Sequence, residues 1–109
     1  MTLAMMSSKQ LKYEISESSI VVAAVEQISS DLGGEAVILN LKSGVYHGLN
    51  EAGARIWNLI EQPKSVKDIK QVLLEEYEVE PEICISDLLA LLDNLKDAGL
   101  IEVKNETVV

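Results

Sequence analysis

The chain has 109 residues, 48% of them hydrophobic, which is enough for one domain with its own core. Nine Lys and Arg against eighteen Asp and Glu give a net charge of −9, which disfavours a nucleic-acid or anionic-membrane partner. One Cys and one His exclude an internal disulfide, a thiolate zinc cage and a two-histidine relay. These counts favour a binding module over a small enzyme.

The N-terminal segment has no basic start followed by an apolar run, so it does not have the form of a secretory signal. The longest apolar runs, Ile20–Val25 and Leu88–Leu92, are far shorter than the roughly 18 residues that a bilayer span needs. A single thiol also suits a reducing compartment. We therefore expect a soluble cytoplasmic protein with no membrane partner.

The first half of the chain predicts strands. Residues 1–18 are polar and without a clear period, which predicts a flexible N-terminal tail. A first strand is expected at Ile20–Val25 because β-branched residues dominate it. Residues 35–41 and 45–49 predict a hairpin around the turn Lys42-Ser43-Gly44.

Two helices follow. Asn50 is a favourable N-cap for helix one, which we expect Pro63 to end. Ser65 is expected to cap helix two, whose apolar residues recur with the helical period. The acidic run that follows, Glu75–Glu80, is interpreted as a solvated face and linker.

Helix three is predicted from Pro81 to Ala98, with Gly99 as its left-handed stop. A short strand at Leu100–Val103 and a tail at 104–109 complete the chain. The predicted fold class is α+β: a winged helix-turn-helix in which a three-stranded antiparallel sheet precedes three helices and a short C-terminal strand. The predicted recognition domain covers residues 19–103.

The charge of helix three argues against DNA. A helix that reads DNA faces phosphates and is expected to be basic. This one has a net charge of −3, from four acids and one base: Glu82, Asp87, Asp93 and Asp97 against Lys96. A winged-helix transcription regulator, the remote alternative, therefore lacks the basic face that it needs.

The apolar face of helix three is unusually wide. Its centre is formed by Ile85, Leu88, Leu89, Leu92 and Leu95, and Cys84, Leu91 and Ala98 widen it to about 180°. The extra flank is interpreted either as deeper core or as the wall of a ligand groove. An edge strand beside such a wall is a site for an extended peptide, whose backbone completes the sheet.

Several short motifs together resemble a known family. They are Ser43-Gly44, Tyr46, Gly48-Leu49-Asn50 and Gly53-Ala54-Arg55-Ile56-Trp57, followed by Tyr77-x-Val79-x-Pro81 and by Leu92 through Ile101. This pattern, over about residues 19–103, resembles the protein D family of pyrroloquinoline quinone biosynthesis (PqqD).

The resemblance implies a RiPP precursor recognition element, a non-catalytic module that binds the leader segment of a ribosomally made precursor peptide. In the family the leader adds to the third strand of the sheet and packs against helix three. The pattern is most similar to stand-alone modules of lasso-peptide clusters, which implies a separate cysteine leader protease and possibly a cyclase as partners. The alternative is a PqqD-type peptide chaperone for a radical SAM enzyme in pyrroloquinoline quinone or other peptide modification.

We expect no catalytic residue, no metal and no cofactor. Cys84 as a nucleophile has no identifiable His beside it, so an apolar packing role is favoured. His47 makes the site more polar if it faces the leader, and the face that Tyr46 takes is left open. Oligomerisation through the same edge strand is the structural alternative. The predicted leader-binding residues are Val45, Tyr46, His47, Gly48, Leu49, Cys84, Asp87, Leu88, Leu91 and Leu95.

Overall fold

The computed structural model describes residues 15–105, which form six strands and three helices. The strands are β1 (Ile20–Ala23), β2 (Gln27–Leu32), β3 (Glu35–Asn40), β4 (Tyr46–Leu49), β5 (Lys64–Ser65) and β6 (Ile101–Lys104). The helices are α1 (Glu51–Leu59), α2 (Val66–Glu76) and α3 (Pro81–Asp97).

The strands form two antiparallel three-stranded sheets, in the orders β2-β3-β4 and β5-β1-β6. The predicted hairpin of residues 35–49 is confirmed as β3-β4. The first predicted strand, however, lies in the second sheet, where Val22 pairs with Glu102 of β6. The edge strand opposite β4 in the first sheet is β2, which was not predicted because its sequence QISSDL has only two apolar residues, Ile28 and Leu32, and both are exposed.

Side-chain burial alternates along strand β3, as expected of a strand with one side in the core. Ala36 and Ile38 are buried on the side that contacts α1, while Val37 and Leu39 lie on the opposite side. We call that opposite side the outer face of the sheet. Cross-strand pairing puts Ile28, Leu39 and Tyr46 in one row across it.

The helix ends follow local chemistry. The Asn50 side chain accepts a hydrogen bond from the Gly53 amide (2.9 Å), and Ser65 accepts one from the Asp68 amide (3.0 Å), so both predicted N-caps are confirmed. Gly99, with φ +75°, ends α3 in the left-handed region as predicted. Helix α1 ends at Leu59, earlier than the predicted stop.

One hydrophobic core joins the helices to both sheets. Its fully buried members include Val21 of β1, Ile38 of β3, Ile69 of α2 and Leu92 of α3. Trp57 is 2% exposed and belongs to this core. The arrangement confirms the α+β, winged helix-turn-helix class.

Residues 1–14 and 106–109, and with them most of both predicted tails, lie outside the described residues. The described part of the predicted N-terminal tail is packed. Ile15 is buried, and the Glu17 carbonyl accepts a hydrogen bond from the Lys67 amide (3.0 Å). Residues 15–18 therefore belong to the packed part of the chain, and the boundary at residue 19 stays a prediction.

Candidate functional site

Strand β4 has a free edge. It pairs with β3 on one side, and no strand within residues 15–105 pairs with its other side. The Asn40 amide donates to the Val45 carbonyl (3.0 Å), which starts the two-residue alternation of the β3-β4 ladder. That alternation directs the backbone N–H and C=O groups of Tyr46 and Gly48 away from β3. The free edge thus offers two N–H donors and two C=O acceptors, spaced so that an added antiparallel or parallel strand could pair with them.

An apolar groove of about 870 Å³ lies between this strand and α3. We call it the β4–α3 groove. Its volume is at the upper end of the roughly 300–1,000 Å³ typical of ligand sites. It is lined by Gly48, Leu49 and Asn50 at the sheet, Ala52, Gly53 and Ile56 of α1, Leu73 of α2, Tyr77, Glu78 and Val79 of the α2–α3 link, and Cys84, Asp87, Leu88, Ala90, Leu91 and Asn94 of α3.

The corner between β4 and α1 is tight. A Cβ atom built on Gly53 would lie 3.2 Å from Leu49 Cβ and 3.3 Å from Asn50 Oδ1. The absence of a side chain at residue 53 therefore lets α1 start directly against the end of β4. This contact places Ile56, one helical turn further on, beneath the groove.

The α2–α3 link is tied to α1 by an ion pair. Arg55 Nε donates to Glu76 Oε1 (2.9 Å) and Arg55 Nη2 donates to Glu76 Oε2 (2.7 Å), which is a bidentate arrangement. Glu76 ends α2, and the next residues, Tyr77 to Val79, form a wall of the groove. The hydrogen bond from Arg55 holds the pKa of the Glu76 carboxyl below its ordinary value.

The sheet is fastened to the end of α3 by Asn40. This side chain is 7% exposed, and its Nδ2 donates to the Ala98 carbonyl (2.7 Å). Its Oδ1 accepts from the amides of Lys42 (2.8 Å) and Ser43 (3.2 Å) in the β3–β4 turn. One buried amide thus holds together the turn before β4 and the helix that faces it.

The charge at the groove is negative. Its two charged lining residues, Glu78 and Asp87, are both acidic and exposed. Burial raises the pKa of the Cys84 thiol above its ordinary value, an effect that Lys70 opposes and Asp87 adds to. The thiol is therefore protonated near neutral pH and is part of the apolar wall.

The structure brings together six of the ten residues predicted to bind a leader. The lining of the groove includes Gly48, Leu49, Cys84, Asp87, Leu88 and Leu91. Tyr46 and His47 lie on β4, and Val45 precedes it; Tyr46 is 69% exposed on the outer face, whereas His47 is half-buried. Leu95 is 3% exposed in the core and does not line the groove.

Several lining residues were not among those predicted. Ala52, Ile56 and Leu73 belong to the apolar stripes of α1 and α2, and Tyr77 and Val79 lie within the acidic run Glu75–Glu80. For the three helical residues, the helical period is the same in the core and in the groove, so the sequence carried no signal that separated the two. The motif Tyr77-x-Val79 was the one available indication.

Other kinds of site find no support in the part of the chain that the structure describes. Between residues 15 and 105, no group of three His, Cys, Asp or Glu side chains is placed to hold a metal ion. None of the helices in that range is long and apolar enough to cross a membrane.

Comparison with known proteins gives one family and two solved structures. The family model for coenzyme PQQ synthesis protein D (PqqD) matches residues 35–101. The chain is similar to TbiB1 in complex with the TbiA(beta) leader peptide, with 32% sequence identity and a TM-score of 0.71 over 74% of this chain and 94% of that one. It is also similar to lasso peptide synthetase B1 complexed with the leader peptide, with 30% identity and a TM-score of 0.67 over 75% of this chain and 96% of that one. No curated protein sequence matches the chain.

Proposed function

The chain belongs to the PqqD family, and from this premise we propose that it binds the leader segment of a ribosomally synthesised precursor peptide without catalysing a reaction itself. The observation that carries the proposal is the free edge of β4 running alongside the apolar β4–α3 groove. The two similar solved structures, each with a leader peptide bound, support it.

The proposed binding mode is strand addition. A leader segment pairs with the N–H and C=O groups of Tyr46 and Gly48, which supply affinity that is independent of sequence. Alternate leader side chains then point towards α3 and enter the groove beside Leu88 and Leu91. The free edge of β2 offers the same backbone groups, but the cavity that its residues line, as formed by residues 15–105, is only about 200 Å³, so the leader selects β4.

The predicted site residues divide between these two roles. Those of the β4 segment, from Val45 to Leu49, meet the leader backbone and its nearest side chains. Those of α3 form the apolar wall: half-buried Leu91 contacts the leader, buried Cys84 and Leu88 form the floor of the groove, Leu95 supports the helix from the core, and Asp87 attracts a basic leader residue.

The module presents the bound leader to a processing enzyme. We propose the lasso-peptide pathway in the cytoplasm, in which a separate cysteine protease removes the leader and a cyclase acts next. The similarity to lasso peptide synthetase B1 favours this pathway over a radical SAM pathway.

Fluorescence anisotropy tests the binding itself. The probe is a fluorescein-labelled synthetic peptide with the leader sequence of the precursor encoded beside this chain's gene, here termed the cognate leader. The TbiA(beta) leader peptide serves as a second probe, and a scrambled cognate leader serves as the control. We expect saturable micromolar or tighter binding of the cognate leader alone or of both leaders. No binding of either leader at high micromolar concentration would overturn the proposal.

Amide hydrogen exchange tests the mode of binding. In the ladder, Leu41 donates to the Glu26 carbonyl (3.1 Å), and the alternation from there directs the amides of Ser29 and Asp31 to the free edge of β2. We expect the cognate leader to slow exchange at Tyr46 and Gly48 and to leave Ser29 and Asp31 unchanged. Protection at β2 instead of β4 contradicts the assignment.

Leader removal tests the delivery. The precursor is incubated with the protease encoded beside it, with and without this chain. Cleavage that accelerates with the wild-type chain, but not with a variant that has lost leader binding, is the expected outcome. Equal rates in all three reactions contradict a delivery role.

A further inference from the structure

Gly48 lies in the middle of a regular strand that does not itself require a glycine. It pairs with Val37 of β3, and its φ lies outside the left-handed range that favours glycine. A Cβ atom built on it would meet no atom of residues 15–105 within 4 Å, in contrast to the crowded position of Gly53. A glycine inside a strand weakens the strand. In the unbound protein no neighbouring atom and no backbone angle requires a glycine at residue 48 to offset this loss of stability.

The space above Gly48 is on the outer face and at the free edge of β4. On that face its neighbours are apolar: Val37 lies across the ladder, and Tyr46, two residues before it, is 69% exposed. The backbone of Gly48 also borders the β4–α3 groove. A strand added to β4 would place a residue directly beside Gly48, about 4.5–5.5 Å away between Cβ positions.

We propose that a large apolar or aromatic side chain of the bound leader seats over Gly48, against Val37 and Tyr46. The leader is then recognised on both faces of the added strand: one set of side chains enters the groove, and one outward side chain covers the glycine. Aromatic residues commonly cover a glycine on a neighbouring strand in this way. This inference rests on the proposed function and adds Gly48 and Tyr46 as determinants of leader specificity.

The test is a side chain that fills the space. Gly48→Val adds a branched side chain that suits a strand, so we expect its thermal midpoint to equal or exceed that of the wild type. Its affinity for the cognate leader should fall about tenfold, and that of Gly48→Ala by less. The matched control is Ser30→Val, which adds the same side chain on the outer face opposite Val37 but at the far strand β2. We expect this control to leave leader affinity unchanged.

An alanine scan of the cognate leader identifies the partner side chain. Alanine at one outward-facing leader position should lower the affinity of the leader for the wild-type chain. The same replacement should cause little further loss of affinity for Gly48→Val or for Tyr46→Ser, since these variants already lack the contact. This non-additivity is what a direct contact produces.

The outcomes separate the two proposals. No binding of any leader to the wild-type chain contradicts the proposed function. Wild-type binding together with unchanged affinity in both Gly48→Val and Tyr46→Ser overturns only the outward contact. If Gly48→Val has a lowered thermal midpoint, Tyr46→Ser and the alanine scan decide: additive losses overturn the inference, and non-additive losses support it.

Discussion

The side-chain amide of Asn40 donates a 2.7 Å hydrogen bond to the carbonyl oxygen of Ala98, and so joins the last residue of β3 to the end of α3. The two elements that border the groove, β4 and α3, are therefore fixed relative to each other at one end by a buried polar contact. The same side chain caps the turn that leads into β4. The geometry of the groove depends on this amide.

Replacing Asn40 by alanine should destabilise the whole domain. The change leaves the Ala98 carbonyl and two turn amides without a protein partner, which costs about 1–3 kcal/mol for a buried group. Thermal unfolding should show a midpoint lowered by roughly 4–24 °C, at about 4–8 °C per kcal/mol. Asn58→Ala, an exposed change on α1, is the control and should leave the midpoint in place. An Asn40→Ala midpoint equal to that of the wild type contradicts the prediction.

Breaking the Arg55–Glu76 pair should affect leader binding more than stability. Arg55→Met frees the end of α2 and the wall from Tyr77 to Val79, while the pair itself, with side chains 37% and 39% exposed, contributes little to stability. We expect a loss of roughly fivefold in cognate-leader affinity, at the low end of coupling between linked sites. Lys42→Met removes an exposed pair with Glu26, neither residue of which lines the groove, and serves as the matched control. Equal effects of the two changes on affinity would show that the ion pair does not position the wall.

The same pair predicts a pH dependence of stability. Arg55 lowers the pKa of Glu76 in the folded state, so the pair stabilises the fold above the unfolded pKa and loses this effect as the pH falls through the folded pKa. Urea unfolding of the wild type and Glu76→Gln should differ by a constant amount from pH 7 to about 5, and the difference should shrink below about pH 4. A difference that grows on acidification contradicts the assignment.

Two leucines of α3 should respond in opposite ways. Leu91 is half-buried and lines the groove, so Leu91→Glu should lower cognate-leader affinity about tenfold or more, as for a central interface residue, with a nearly unchanged thermal midpoint. Leu95 is buried in the core, and Leu95→Ala should lower the free energy of unfolding by about 2–5 kcal/mol. An unfolded Leu91→Glu variant would mean that Leu91 is a core residue.

The acidic groove should act mainly on the association rate. Asp87→Asn removes one of its two lining charges, so the association rate constant for a lysine-containing leader should fall a few-fold and become less sensitive to salt, with a nearly constant dissociation rate. Asp93→Asn is an exposed change on the same helix outside the groove lining and is the control. Stopped-flow anisotropy at two salt concentrations measures both rates. If Asp87→Asn changes only the dissociation rate constant, electrostatic steering by this residue is ruled out.

Much of the fold was predictable because its signals are local. Side-chain caps at Asn50 and Ser65, the left-handed Gly99 and the turn at Gly44 each act within a few residues, and the structure has all of them as expected. The resemblance to the PqqD family, read from short motifs, is confirmed by the family match over residues 35–101. Strand β2 was not predicted because its apolar residues face outward and because its extended conformation depends on pairing with β3.

The linear order of residues was enough to establish the helices, the β3-β4 hairpin, the acidic character of α3 and the family. It placed Ile20 to Ala23 in one sheet with the hairpin, left open which face Tyr46 takes, and gave Leu91 and Leu95 the same role in the site. Those answers depend on strand register and on the packing of α3 against the rest of the domain, which are contacts between residues far apart in the chain. A helical or strand period specifies that a side chain points inward; only the packed neighbours specify whether it meets protein or an open groove.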